Sequence, residues 1–417
     1  MFNQRWITLS ILMILLGLMT GQRAILVLPI FLLLTIAAGQ WWNTRVLRDV
    51  TYRRRMSRTR AFPGETVEVQ VLVENGKFLP VPWLRVEDEW PLAVPPTDSQ
   101  ALGPSHLMDM GELVNLFALR WYERVRRHYT LQTDQRGVYG LGPTRLRSGD
   151  VFGLFHSERT IEDQDFLIVY PRLYPLPELG LPAKEPFGKQ RARRRLFEDP
   201  SRTMGARDFQ PGDSFRHVHW PATARRQQLQ ARVYEPTTTL TAVICLNVAT
   251  LARPWEGILP ELLERAIVVA ASLAAHAAET RYAVGFISNG AMPRSDRAIR
   301  IKPGRNPDQL MHILEMLAAI TGYVTTPMGR FLLRESPALP WGATLVVVTP
   351  IITDELVATL DQLRAAGRQI VLVTLAQEPP PNLAGIVTYH LPDDGTRKPG
   401  RTIVGPNVFA QWREASR

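Results

Sequence analysis

The sequence has a single cysteine, Cys245, among its 417 residues. One thiol cannot form an intramolecular disulfide or a multi-cysteine zinc or iron–sulfur site, so disulfide-stapled secreted folds are excluded. The chain also lacks the Gly-x-x-x-x-Gly-Lys-Ser/Thr phosphate loop and the Gly-x-Ser-x-Gly elbow, which excludes the common ATPase and esterase motifs. Charge is scarce at the start of the chain, where Arg23 is the only charged residue between Trp6 and Thr44.

Uncharged runs of 17 and 21 residues lie on either side of Arg23. A membrane-spanning helix needs about 20 mainly apolar residues, so the second run is sufficient and the first is short. Indoles favour the membrane interface, and three tryptophans stand at the ends of the runs: Trp6, Trp41 and Trp42. The pattern predicts a transmembrane hairpin at residues 1–44, with helices at about 6–21 and 24–42. A cleaved signal peptide is the alternative, disfavoured because a second apolar run follows at once.

Seven arginines and one acid follow between residues 45 and 60. By the positive-inside rule this flank stays in the cytoplasm. Two spans would then place both termini in the cytoplasm, in a multi-pass protein of the inner membrane. Each arginine near anionic headgroups contributes about 1 kcal/mol to membrane binding. The residues assigned to the membrane surface are Arg45, Arg48, Arg53, Arg54, Arg55 and Arg58.

The period of the apolar residues divides the rest of the chain. Strict alternation from Glu65 to Val73 indicates a half-buried strand, and further short strand-like segments predict a small all-β sandwich or barrel over residues 45–172. A proline-rich, basic linker is expected at 173–204. Beyond residue 237, buried strand runs alternate with helical patterns, which predicts a parallel sheet covered on both faces, a three-layer Rossmann-like α/β fold. The strands are expected at 240–248, 282–288, 344–349 and 370–375, and the helices at 261–279, 307–320 and 354–366.

The densest polar cluster lies between Gly205 and Glu235. This segment resembles the hallmark of the bacterial domain-of-unknown-function 58 family, Arg-x-Tyr-x-Pro-Gly-Asp-x-x-Arg-x-Ile-(His/Asp)-Trp, followed by Ala-Arg and a late Glu. The matching residues are Arg207, Pro211, Gly212, Asp213, Arg216, His219, Trp220, Arg225 and Glu235. Further matches at 17–24, 52–65, 136–143 and 149–153 extend the resemblance to nearly the whole chain. The resemblance implies a domain similar to von Willebrand factor A at 205–417.

Domains of that kind often bind a divalent cation through Asp-x-Ser-x-Ser after the first strand, because hard ions prefer carboxylate and hydroxyl oxygens. Here Asn247 replaces the aspartate, and Ala249 and Leu251 occupy the serine positions, which leaves Thr250 as the one hydroxyl. We therefore expect a degenerate metal-ion-dependent adhesion site without a metal or another cofactor. A weak ion held by Asn247, Thr250 and Asp354 is the alternative.

No catalytic residue is assigned. Genes of the family are commonly linked to MoxR-type AAA+ ATPases, so the resemblance implies a cytoplasm-facing membrane scaffold or adaptor with lipids and such an ATPase as partners. Neither nucleic acid nor a small-molecule substrate is expected.

Two other functions stay open. A hydrolase or transferase would use His219 as a base oriented by Asp213, although only Ser214 and Thr223 lie near them as nucleophiles. Nucleic-acid binding would use the basic stretch from Lys184 to Tyr234, which has a net charge of +7. That stretch has no aromatic–glycine stacking motif and no helix-turn-helix pattern.

Overall fold

The computed structural model describes residues 2–20, 23–97, 102–107, 109–184, 186–187, 198–210, 218–236, 240–293 and 295–392. The chain is a mixed α/β protein that divides into two compact units, with the boundary between Pro171 and Arg172. The N-terminal unit combines two helices with a β domain, and the C-terminal unit contains a six-stranded, largely parallel sheet.

The chain begins with helices α1 (Phe2–Thr20) and α2 (Arg23–Val46), which pack against each other. Within the described residues, one segment, Leu26–Val46, is long and apolar enough to cross a membrane. Helix α2 continues past the predicted end at residue 42, because its last turn is anchored in the β domain, where Val46 is fully buried. The described part of the chain thus contains one apolar helix of spanning length near the N-terminus, and the second span stays a prediction.

The β domain follows α2 directly. Its strands are β1 (Val50–Met56), β2 (Arg60–Ala61), β3 (Thr66–Asn75), β4 (Val81–Pro91), β5 (Leu102–Pro104), β6 (Met110–Leu119), β7 (Arg124–Gln132), β8 (Gly137–Leu141), β9 (Thr144–Gly149), β10 (His156–Ile161) and β11 (Asp165–Val169). They form sheets of order β1-β3-β7, β10-β9-β4-β6-β5 and β2-β11-β8. Of these pairs, β2 and β11 run parallel and the others antiparallel.

The sheet β1-β3-β7 and the five-stranded sheet pack face to face, and β3 buries one of its faces, as its alternation predicted. Val71 and Val73 on the inner face of β3 share a core with Leu84 and Val86 of β4 and with Leu146 of β9, and all five side chains are fully buried. Each fully buried Val or Leu contributes about 1.5–3 kcal/mol. This core sets the register of the sandwich, since a slip of one residue would turn every valine of β3 outward.

Residues 174–187, in the first half of the linker predicted at 173–204, pack as part of the C-terminal unit. Tyr174, Leu176 and Leu181 are buried, and the ring of Phe187 lies 5.0 Å from that of Tyr282. Proline restricts the conformations of the unfolded chain, so this proline-rich segment loses less conformational entropy when its large apolar residues pack on the protein surface.

The C-terminal unit comprises β12 (Glu198–Asp208), α3 (Trp220–Arg226), β13 (Gln230–Pro236), β14 (Thr241–Leu246), α4 (Pro260–Glu279), β15 (Ala283–Ala291), β16 (Ala298–Gly304), α5 (Asp308–Ala319), α6 (Met328–Glu335), β17 (Thr344–Thr349), α7 (Asp354–Ala365), β18 (Gln369–Thr374) and β19 (Val387–His390). Strands β12 and β13 form a separate antiparallel ribbon. The main sheet has the order β16-β15-β14-β17-β18-β19 and is parallel except for β16.

The prediction of a buried parallel sheet is confirmed. Every residue of β14 and β17 is buried, as expected for strands covered on both faces. Helices α6 and α7 pack on the face that carries Val243 and Cys245, while α4 contacts β14, β15 and β17. The predicted helices agree with α4, α5 and α7 to within one or two residues at each end.

Candidate functional site

The carboxyl edge of the main sheet is where open α/β sheets bind their ligands. Strand β14 lies in the middle of the sheet, with β15 and β16 on one side and β17, β18 and β19 on the other, so the strand order reverses at β14. Connections diverge at such a switch point and leave a crevice, where ligands of open α/β sheets bind. The residues at this point are Asn247 after β14, Asn289 in β15 and Thr349 at the end of β17.

These three side chains hydrogen-bond to one another. Asn247 Nδ2 donates to Thr349 Oγ1 at 3.0 Å, and Asn289 Nδ2 donates to Asn247 Oδ1 at 2.9 Å. Asn247 Oδ1 also accepts from the Ala249 backbone N–H at 3.1 Å. Asn247 is 4% exposed, and Asn289 and Thr349 are fully buried. The crevice is therefore closed by neutral amide and hydroxyl groups.

The network occupies the side-chain oxygen of Asn247. Its Oδ1 already accepts two hydrogen bonds, and Thr250 Oγ1 accepts one from the Leu259 backbone N–H at 2.9 Å. Asp354 is exposed at the start of α7. In the described residues no three His, Cys, Asp or Glu side chains are grouped so that they could hold a metal ion. A hard cation needs several free oxygens, preferably charged, so this geometry disfavours the weak ion predicted as an alternative.

Sequence reasoning singled out Asn247 but missed its partner Asn289. The signal was present, because the polar pair Ser288 and Asn289 interrupts the otherwise apolar strand β15. A buried amide must find hydrogen-bond partners, and Asn289 finds them in Asn247, in the Val248 backbone N–H at 3.0 Å and in the Thr326 carbonyl at 3.1 Å.

His219 of the polar segment has a structural task. It is the N-cap of α3, where its Nδ1 accepts a hydrogen bond from the Ala222 backbone N–H at 3.1 Å. In the neutral ring the proton then sits on Nε2, which makes Nε2 a donor. The imidazole can act as a base at Nδ1 only by giving up the cap, so the geometry does not favour the hydrolase alternative.

The other residues of the segment are divided between described and undescribed parts. Arg207 and Arg225 are exposed, with Arg207 Nη1 donating to the Asp208 carbonyl at 3.1 Å. Trp220 is 64% exposed. The side chains outside the described residues are those of Pro211, Gly212, Asp213, Arg216 and Glu235, although the backbone of Glu235 lies in β13.

The arginines assigned to the membrane surface differ in exposure. Arg48, Arg53 and Arg55 are exposed, and Arg45 lies over the Trp41 ring with 4.6 Å between its Cζ and the ring centroid. Arg58 pairs with Glu65 at 3.3 Å. Arg54 is the exception, because its side chain is 2% exposed and cannot reach a headgroup.

Arg54 belongs instead to a buried cluster that sequence reasoning missed. Arg54 Nη1 lies 2.6 Å from Asp88 Oδ1, and Arg54 Nε lies 3.0 Å from Asp165 Oδ2. Asp88 also accepts from the Tyr52 hydroxyl at 2.6 Å and the Thr144 hydroxyl at 2.8 Å. Burial raises the pKa of the Asp88 carboxyl, although Arg54 opposes the shift, and burial likewise raises the pKa of Tyr52. The cluster joins β1 of the sheet β1-β3-β7 to β4 and β9 of the five-stranded sheet.

Two solved structures resemble part of the chain only weakly. The CARDB domain of the PF1109 protein from Pyrococcus furiosus is 13% identical over 29% of this chain and 92% of its own, with a TM-score of 0.19. The sporulation control protein Spo0M from Bacillus subtilis is 16% identical over 31% of this chain and 53% of its own, also with a TM-score of 0.19. Scores this low support no conclusion about fold or function.

Sequence comparison is more informative. The uncharacterized protein YeaD of Bacillus subtilis (strain 168) is 24% identical over 344 residues, which cover 80% of this chain and 77% of YeaD. The family described as "Protein of unknown function DUF58" matches residues 205–397. That range includes the polar segment and the whole six-stranded sheet, so the predicted resemblance to this family is confirmed for the C-terminal half of the chain.

Proposed function

We propose that this protein is a membrane-anchored adaptor that faces the cytoplasm and has no catalysis of its own. The observation that carries the anchoring is the outer surface of α1 and α2. Large apolar side chains there are 57–88% exposed, among them Leu12, Leu15, Met19, Leu28, Phe31 and Leu34. A continuous apolar surface of this kind marks contact with a membrane or a partner. The length and composition of Leu26–Val46 favour the membrane.

The proposed orientation follows from the arginines after α2. Arg48, Arg53 and Arg55 remain exposed and carry the positive charge that keeps a flank cytoplasmic. If α1 also crosses the bilayer, both termini lie in the cytoplasm. The protein would then be a multi-pass protein of the inner membrane, in contact with anionic headgroups.

The proposed adaptor role concerns the C-terminal unit. The strand order of the main sheet, in which β16 is the single antiparallel strand, supports the domain similar to von Willebrand factor A that the resemblance implies. The closed amide network supports recognition through surface side chains and not through a resident cation. Four apolar side chains stand exposed at this edge: Trp255 at 81%, Ile258 at 43%, Leu259 at 47% and Tyr323 at 58%. Exposed aromatic residues are typical anchors of protein interfaces.

The partner we propose, from the family resemblance, is a MoxR-type AAA+ ATPase, which would supply the energy for assembly or maturation of an envelope complex. The test is a pull-down of the tagged full-length protein from detergent-solubilised membranes. Recovery of the ATPase should fall at least tenfold with Trp255→Ser, because interface tryptophans commonly contribute 2 kcal/mol or more.

Trp341→Ser is the matched control. Trp341 is 66% exposed, but it precedes β17 and therefore lies at the opposite edge of the sheet. Recovery should be unchanged in this variant. If the unmodified protein repeatedly recovers no AAA+ ATPase, the proposed partnership is wrong. If both variants lose the ATPase equally, the carboxyl edge is not the docking surface.

A further inference from the structure

An exposed apolar loop joins β9 to β10 in the N-terminal unit. Residues 151–154 carry no charge, and Val151, Phe152 and Leu154 are 60%, 61% and 48% exposed. Hairpin loops in water are usually built from glycine, asparagine, aspartate and other polar residues. Three neighbouring large apolar side chains at such a loop therefore indicate contact with something apolar.

Asp150 holds the loop in one conformation. Asp150 is 1% exposed, and its carboxylate accepts hydrogen bonds from the Phe152 N–H at 3.0 Å and the Phe155 N–H at 2.7 Å. Gly153 has a φ of 69°, a left-handed conformation that suits glycine. The apolar side chains are thus presented by a preformed turn, so little conformational entropy is lost when they bind.

The hairpin follows α2 from its C-terminal end towards its middle. Near the base of the hairpin, Arg159 Nη1 donates to the carbonyl of Leu47, just after the helix, at 3.2 Å. Four helix residues earlier, Asn43 Nδ2 donates to the carbonyl of His156 at 3.4 Å. Residues nearer the tip of the hairpin therefore contact residues further inside the helix.

The loop itself reaches Gly39. A Cβ on Gly39 would lie 3.1 Å from Asp150 Oδ2 and 3.2 Å from the Phe155 ring, so helix and loop are in close contact. At 1.5 Å of rise per residue, Gly39 lies about 10 Å along α2 from Val46. The loop therefore stands beside the interior of the apolar segment Leu26–Val46, and not beyond its end.

We propose that the β9–β10 loop inserts into the bilayer beside α2, with Val151, Phe152 and Leu154 at the boundary between headgroups and acyl chains. The inference rests on the proposed membrane anchoring through α2. The occupant of this surface is lipid, because the adjoining helix surface is itself apolar and exposed. Insertion adds buried apolar area to the anchor and fixes the rotation of the β domain about the helix axis.

A pair of exposed aromatic residues lies close to the end of α2. The rings of Phe78 and Trp121 stack with centroids 5.6 Å apart and an interplanar angle of 10°, and the two residues are 70% and 58% exposed. Lys77, next to Phe78, donates to the carbonyl of Val46 at 2.9 Å. If α2 spans the bilayer, this places the pair near the headgroups, where an indole such as that of Trp121 is favoured.

The test uses the full-length protein in vesicles of phosphatidylcholine and phosphatidylglycerol. A Phe152→Cys variant is labelled with an environment-sensitive fluorophore, and quenching by lipids that carry a nitroxide on the acyl chain is measured. The native Cys245 stays unlabelled, because it is fully buried and burial raises the pKa of its thiol. Leu34→Cys, on α2 and 63% exposed, is the control for anchoring.

Leu92→Cys is the matched control within the β domain, since Leu92 is exposed to a similar extent, 52%. Leu92 follows β4, which pairs antiparallel with β9 so that Leu84 faces Ser148 near the loop. Eight residues of extended chain then carry Leu92 about 26 Å away from that level, in the direction opposite to the tip of the hairpin.

We expect the label at residue 152 to be quenched about as strongly as the one at residue 34, and about threefold or more above the one at residue 92. If the label at residue 34 is quenched but that at residue 152 only matches residue 92, loop insertion is wrong and the anchoring stands. A blue-shifted but unquenched label at residue 152 would mean that protein covers the loop, which also overturns the inference. If the label at residue 34 is unquenched, anchoring through α2 is wrong, and insertion fails with it.

Discussion

Replacing Asp88 with alanine should destabilise the β domain far more than replacing Asp165, although both carboxylates contact Arg54. Asp88 is fully buried and accepts hydrogen bonds from Arg54, Tyr52 and Thr144. Its removal leaves three buried donor side chains without that acceptor. Asp165 has a 43% exposed side chain, so water replaces much of what its removal takes away.

The magnitudes follow from these environments. Removing one member of a buried ion pair costs about 3–5 kcal/mol, because the remaining charge stays buried. Asp165 still faces Arg54 in the Asp88→Ala variant, which places the expected loss near the lower end, about 3 kcal/mol. An exposed ion pair contributes about 0–1 kcal/mol, which is the loss expected for Asp165→Ala.

Hydrogen–deuterium exchange measured by mass spectrometry resolves the effect strand by strand. At 1.4 kcal/mol for each factor of ten, Asp88→Ala should accelerate exchange in β1, β4 and β9 by about 100-fold or more, and Asp165→Ala by less than about tenfold. Peptides of the C-terminal unit serve as the internal reference and should be unchanged. Equal acceleration by the two variants would refute the argument that burial decides the strength of these contacts.

Three other changes test separate parts of the structure. Asn247→Asp places a carboxylate in the closed network and removes the donor to Thr349, so the melting temperature of the C-terminal unit should fall. Magnesium or calcium should raise the melting temperature of this variant only if the site can still open to bind the ion. Hydrogen bonding from Arg300 lowers the pKa of Glu335. Because the Arg300 side chain is 48% exposed, the pair contributes at most about 1 kcal/mol, which is present above the pKa of the unfolded carboxyl and lost as the pH falls through the pKa of the folded one. Glu335→Gln should therefore flatten the acid limb of a series of melting temperatures against pH. Burial lowers the pKa of Lys77 to about 8, so the folded domain releases this proton at a lower pH than the unfolded chain does. The domain therefore gains stability as the pH rises from about 8 towards 10.5. Lys77→Met should remove this gain from the series of melting temperatures against pH.

The sequence predicts the elements whose apolar period is long and regular. Strands β14 and β17 are continuous apolar runs, and α4 carries an apolar pattern over five turns, so tertiary contacts do not override their local preference. Two of the elements that were missed are short. Helix α6 has eight residues between two prolines, and β16 alternates over only a few positions. Such windows contain too few residues to separate one period from another.

Arg54 shows that counting the charges of a basic run does not reveal which of them are buried. It was assigned to the membrane surface as one arginine in a basic run, yet it follows Val50 and Tyr52 on the inward face of β1. The alternation of that strand already separates Arg54 from the outward Arg53 and Arg55. Its partner could not be predicted in this way, because Asp88 lies 34 residues away and is brought opposite by the packing of two sheets. The amide network at the sheet edge could not be predicted for the same reason, since Asn247 and Thr349 are 102 residues apart in sequence.

The contacts of α2 make the β domain an extension of the helix and not a module on a flexible tether. Val46 and Leu47 belong to the core of the sandwich, and Lys77 and Arg159 bind backbone carbonyls at the helix end. Each of these contacts would have to break before the domain could swing about the helix. If α2 spans a bilayer, its tilt therefore sets the orientation of the β domain relative to the membrane. Insertion of the β9–β10 loop would then prevent the helix and the β domain from rotating together about the helix axis.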